Sequence, residues 1–88
     1  MKMIVAILPD TDNDTVSNVL LKQGFRVTTI ASTGGFMSSG ASTLMIGVQD
    51  DQVDMVMQIV KDHCAPSLEP GLKRGSLFVL NVARFEQL

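Results

Sequence analysis

The chain has 88 residues, 45% of them apolar and 18% charged, with seven Lys and Arg against nine Asp and Glu for a formal charge of −2. A chain of this size supports one core and buries only about 60–65% of its unfolded surface, which excludes a multidomain protein and favours very regular packing or self-association. One cysteine, Cys64, rules out an internal disulfide, and a slightly acidic chain with four Phe, no Trp and no Tyr lacks the basic stripe and stacking platforms of a nucleic-acid-polymer binder.

Met3 to Leu8 is a run of six apolar residues between Lys2 and Pro9-Asp10. Six is too few for a signal peptide or a membrane span, so the run reads as a strand apolar on both faces, in a protein expected in the cytoplasm. Val16, Val19 and Leu20 then recur at helical spacing, with Leu21 on the flank. Thr11 is the expected cap of this helix, and Gly24 its expected left-handed end. Asp10, Asp12 and Asp14 resemble the start of a calcium loop, but the glycine and distal glutamate that complete such a loop are missing, which leaves helix-start carboxylates.

Phe25 to Ser32 reads as a second strand, whose alternation puts Arg26, Thr28 and Ile30 on one face and Val27, Thr29 and Ala31 on the other. From Ser32 to Thr43, nine of twelve residues are Gly, Ser or Thr, which predicts a loop with accessible backbone amides and hydroxyls suited to phosphate oxygens. Gly35 and Gly40 have P-loop spacing, but no lysine follows Gly40. A plain connecting loop is the alternative. Leu44 to Gln49 is the third strand. Asp50-Asp51 opens a second helix with Val53, Val56, Met57 and Val60 on one face, residues 61–75 read as a short connection, and Leu77 to Val82 as the fourth strand with a polar tail.

The order strand, helix, strand, strand, helix, strand predicts a single α+β domain over residues 1–88 with the ferredoxin-like βαββαβ arrangement. Its two helices cover one sheet face only. The first, third and fourth strands are apolar on both faces, so the other face is expected to be covered by further copies of the chain. The C-terminal tail or the 61–75 segment is the alternative cover.

Catalytic chemistry finds little support. His63 and Cys64 are adjacent, whereas a nucleophile and its base are brought together by the fold, and no third group is at hand to orient them. An acylphosphatase-like site would need an arginine and an asparagine on adjacent elements, and Asn81 is far from Arg26 in sequence. Arg26 is better suited to a bidentate contact with phosphate or purine, or to a solvated strand edge. Phe36, in a Gly-Gly-Phe context, would stack on a base or tuck into a neighbouring subunit.

The stretch Gly24-Phe25-Arg26-Val27-Thr28-Thr29-Ile30-Ala31-Ser32-Thr33-Gly34-Gly35-Phe36-Met37, followed by Gly47-Val48-Gln49-Asp50-Asp51-Gln52-Val53-Asp54, resembles the PII-like cyclic di-AMP receptor family. The resemblance implies a non-enzymatic homotrimer with its sheets facing inward. It also implies a nucleotide ligand, cyclic di-AMP or another adenine nucleotide, held between subunits without a further cofactor. Ligand ordering of loop residues 34–42 would be relayed to a downstream protein of unknown identity.

By position, the resemblance assigns ligand contacts to Arg26, Val27 and Thr28. Gly35, Phe36, Met37 and Ala41 would line the cleft, Gly47 would allow close approach from strand three, and Phe78 and Gln87 match C-terminal cleft positions. The chain departs from the family pattern at Gly24 and Ala41, where asparagines are usual, and its 61–75 segment is short for the family. Two missing amides, each worth about 1 kcal/mol or more, would lower affinity for the family's ligand at least tenfold to a hundredfold. A regulatory or assembly module that has lost its nucleotide is the alternative function.

Overall fold

The structure is a computed structural model that describes residues 1–30, 41–64 and 75–88. Its elements are β1 (Lys2–Pro9), α1 (Asp10–Lys22), β2 (Arg26–Ile30), β3 (Ala41–Val48), a 3-10 turn (Asp50–Gln52), α2 (Val53–His63) and β4 (Ser76–Asn81). The strands form one antiparallel sheet in the order β2-β3-β1-β4. This is the ferredoxin-like arrangement expected from the element order.

Alternation along each strand decides which residues meet the helices. Ile4 and Ala6 of β1 and Leu44 and Ile46 of β3 are fully buried, together with Val16 and Leu20 of α1 and Val56 of α2. The helical residues recur at i and i+4, so one stripe of each helix seals this face of the sheet. Among the described residues the opposite face carries no helix. There Ile7, Ile30, Phe78 and Leu80 stay 38–50% exposed, a concentration of large apolar side chains that an isolated small domain rarely shows.

Several boundaries differ from the sequence-based expectations. Helix α1 starts at Asp10, directly after Pro9, whose fixed φ of −56° leads the chain into the helix without a side-chain cap; Thr11 lies in the first turn. Ala41, Ser42 and Thr43 belong to β3 and not to the preceding loop, because they pair with Pro9, Leu8 and Ile7 of β1. The Ser42 hydroxyl donates to the Asp10 carboxylate and ties the start of β3 to the start of α1.

The second helical segment is capped by Gln49 and Gln52, not by the paired aspartates. The Gln49 N–H donates to Gln52 Oε1 at 2.9 Å, and the Gln49 side chain accepts in return from the Gln52 N–H. Helix α2 runs through His63, so residues 61–63 are helical and the connection is shorter than residues 61–75. The Gly/Ser/Thr segment over residues 32–40 and most of that connection lie outside the described residues.

Gly75 leads into β4 and sits where no side chain fits. A Cβ there would lie 2.5 Å from the Ile7 carbonyl oxygen and 3.0 Å from Leu8 Cδ2. The glycine therefore lets β4 approach the central strand closely enough for Ser76 to pair with Ile7.

Candidate functional site

The site begins where α1 ends. Gly24 has φ +88°, a left-handed conformation that a Cβ would disfavour, and the N–H groups of Gly24 and Phe25 close on the carbonyls of Leu21 and Leu20 at 3.0 and 3.1 Å. Phe25 then turns into the core, 8% exposed. This anchors the first residue of β2. From there the period-two alternation turns Arg26 and Thr28 to the helix-free face.

On that face Arg26 lies opposite Gly47 and Thr28 opposite Met45. With no side chain of its own, Gly47 leaves a low floor beside the arginine. The far wall comes from the chain's other end. After β4 the Val82 N–H donates to the Met1 carbonyl at 3.3 Å, and the tail crosses from β4 at one edge of the sheet to Arg26 of β2 at the other. The Phe85 ring is thereby set over the Arg26 guanidinium, 6.0 Å from centroid to Cζ, at the outer limit of a cation–π contact.

The half-open cleft has a volume of about 650 Å³, within the range typical of small-molecule sites. Among the described residues the lining holds no carboxylate, and its side-chain cations are Arg26 and Arg84; Lys2 borders the cleft, but strand alternation puts its side chain on the helix-covered face with Val48. Lys2 Nζ donates to Asn81 Oδ1, and Arg84 pairs with Glu86. Arg26 has the Phe85 ring over it, and its guanidinium keeps the planar donor fork that suits a phosphate.

Of the residues expected to bind, Arg26, Thr28 and Gly47 converge on this cleft. Val27 does not. It lies on the helix-covered face opposite Ile46 and packs against the core, so its side chain points away from the cleft. Ala41 is at the opposite end of β3 from Gly47, about 20 Å along an extended strand. Phe78 is on β4, at the other edge of the sheet from Arg26. Gln87 is exposed two residues beyond Phe85 and does not line the cleft. Gly35, Phe36 and Met37 lie outside the described residues.

The tail residues Arg84 and Phe85 escaped sequence reasoning. Their placement depends on β1 pairing with β4, a contact between the two ends of the chain that no local spacing reveals. A phenylalanine next to an arginine in the short segment after β4 was the available signal.

His63 Nδ1 donates to the Ile59 carbonyl one helical turn back, at 2.8 Å. Asp12 is buried near the start of α1 while Asp10 receives the Ser42 hydroxyl. No three His, Cys, Asp or Glu side chains among the described residues come together as a metal-binding group. None of the described helices is long and apolar enough to cross a membrane.

A four-stranded antiparallel sheet with two helices in the α+β, ferredoxin-like order is consistent with the PII-like class of ferredoxin-fold proteins. Residues 1–69 match the family described as cyclic-di-AMP receptor, and the chain belongs to that family. A solved structure described as that of a functionally unknown protein from Pediococcus pentosaceus ATCC 25745 is similar to it throughout. The TM-score is 0.77 at 30% identity, over 99% of this chain and 96% of that one.

Proposed function

We propose that the protein is a PII-like receptor that binds a nucleotide second messenger, cyclic di-AMP in the first instance, at the Arg26 cleft, and carries out no chemistry on it. The observation that carries this reading is the convergence of Arg26, Thr28 and Gly47 on one cleft whose charged lining is cationic. A guanidinium donates to phosphate, a threonine hydroxyl can serve either a phosphate or a base edge, and a glycine floor admits a flat ring system. The exposed apolar face supports a homotrimer with sheets turned inward, which would bring Phe78 of one copy towards the cleft of another. Ligand-dependent ordering of residues 34–42 would then present a changed surface to a downstream protein.

Calorimetric titration with cyclic di-AMP, cyclic di-GMP, AMP and ATP, with light scattering on the same sample, tests the reading. The expected result is saturable binding of cyclic di-AMP at one per chain by a trimer. Arg26→Ala should weaken that binding by about tenfold to a hundredfold, the loss of a charge-assisted hydrogen bond. Unchanged affinity would remove Arg26 from the site.

One observation favours the second reading, a module that has kept the assembly and lost the ligand. Gly24 lines the cleft, and no atom lies within 4 Å of where its Cβ would be, so the position usually held by an asparagine offers no amide. An intact oligomer that gives no heat with any of the four nucleotides would establish this alternative.

A further inference from the structure

The family match ends at residue 69, yet Val82, Arg84 and Phe85 line the cleft. We propose that this tail is part of the ligand site: Phe85 positions the Arg26 guanidinium, and Arg84 supplies a second cation to a phosphate-bearing ligand, with Glu86 occupying Arg84 until the ligand arrives. The proposal deepens the nucleotide-receptor reading and rests on it.

Three observations carry it. First, Phe85 remains 55% exposed, so core burial alone does not account for its position; its ring lies over Arg26. An arginine on an exposed strand samples many rotamers, and an aromatic ring over its guanidinium restricts them before any ligand binds. Second, Arg84 lines the same cleft as Arg26, and its side chain is 81% exposed, available to an incoming anion. Third, the carboxylate paired with Arg84 is Glu86, two residues away and itself outside the cleft lining. An exposed pair between near neighbours is weak, and a phosphate oxygen that accepts two parallel N–H bonds displaces it. Two arginines lining one cleft then hold what neither holds alone, with cationic charge standing in for the amide contact absent at Gly24.

The pair makes opposite predictions for adjacent charges. Removing the arginine weakens binding; removing its carboxylate partner strengthens it, a gain that misfolding does not produce. Calorimetry with cyclic di-AMP at low and high salt on wild type, Arg84→Gln, Glu86→Gln and Phe85→Leu measures both. Arg84→Gln should bind about tenfold more weakly with a shallower salt dependence, and Glu86→Gln about threefold more tightly. Phe85→Leu should bind several-fold more weakly. It should also shift the Arg26 Nε–Hε resonance in the ligand-free protein, because the ring current is lost; the other arginines are Arg74 and Arg84, so the signals are few.

If wild type binds cyclic di-AMP while Arg84→Gln and Glu86→Gln match it, the tail proposal is overturned and the receptor reading stands. If wild type binds no nucleotide, the receptor reading fails, and titration with inorganic pyrophosphate decides the clamp. Joint perturbation of the Arg26 and Arg84 side-chain resonances, lost in Arg84→Gln, would keep it as an anion site. Their silence would overturn it as well.

Discussion

Phe78→Glu combined with Leu80→Glu is expected to leave the protein folded and monomeric in light scattering, with nucleotide binding lost or greatly weakened. Both side chains lie on the helix-free face of β4, opposite Val5 and Met3 of β1, and are 50% and 45% exposed in the single chain. A glutamate at either position is therefore solvated in the monomer and costs the fold little. Between subunits the situation reverses. Burying a large apolar side chain contributes about 1.5–3 kcal/mol, so losing two per subunit weakens association by about a hundredfold to ten-thousandfold even before the cost of burying charge. A double variant that still assembles would show that other copies do not cover this face.

The second large effect is on stability. Ile46→Ala should lower the unfolding free energy by about 2–5 kcal/mol, and Ile46→Val by only about 0.5–1.5 kcal/mol. Ile46 is fully buried at the middle of β3, flanked by Ile4 on β1 and Val27 on β2, where neighbouring strands hold the backbone and limit collapse into a cavity. In a domain of this length each kcal/mol moves the thermal midpoint by about 4–8 °C, so the alanine variant should melt at least about 8 °C lower. The comparison needs equal protein concentrations, because self-association of the folded chain would raise the midpoint. An alanine variant no less stable than the valine one would place Ile46 outside the core.

Much of the site's foundation could be read from local pattern. Glycine at position 24 signalled the left-handed helix end, and alternation after it put Arg26 and Thr28 on one face; the structure has both. The same alternation assigns Val27 to the core, so its inclusion among ligand contacts conflicted with a pattern already visible in the strand. Ala41 to Thr43 read as loop because they continue a Gly/Ser/Thr-rich run in which Thr43 alone favours strands; pairing with β1 decides their structure. Thr11 and Asp50-Asp51 drew the helix starts by composition, whereas Pro9 and the Gln49–Gln52 exchange set them by geometry. The tail was the least legible part. Arg84 and Phe85 are placed by β4, by the Val82 bond to Met1, and by the Arg26 ring contact, none of which leaves a periodic trace.

The position of β1 between β3 and β4 also governs how the protein is made. Lys2 pairs with Asn81 and Ile7 with Ser76, so one edge of the first strand waits for the last. During synthesis β1 can join β3 early, but it presents a bare hydrogen-bonding edge until residues 76–81 leave the ribosome. Closing so long a loop is slow relative to local helix formation. Nascent chains arrested with residue 75 just outside the exit tunnel should therefore be readily cleaved by protease, and those arrested beyond residue 88 should resist it. Equal resistance at both lengths would mean that β4 is dispensable for the core.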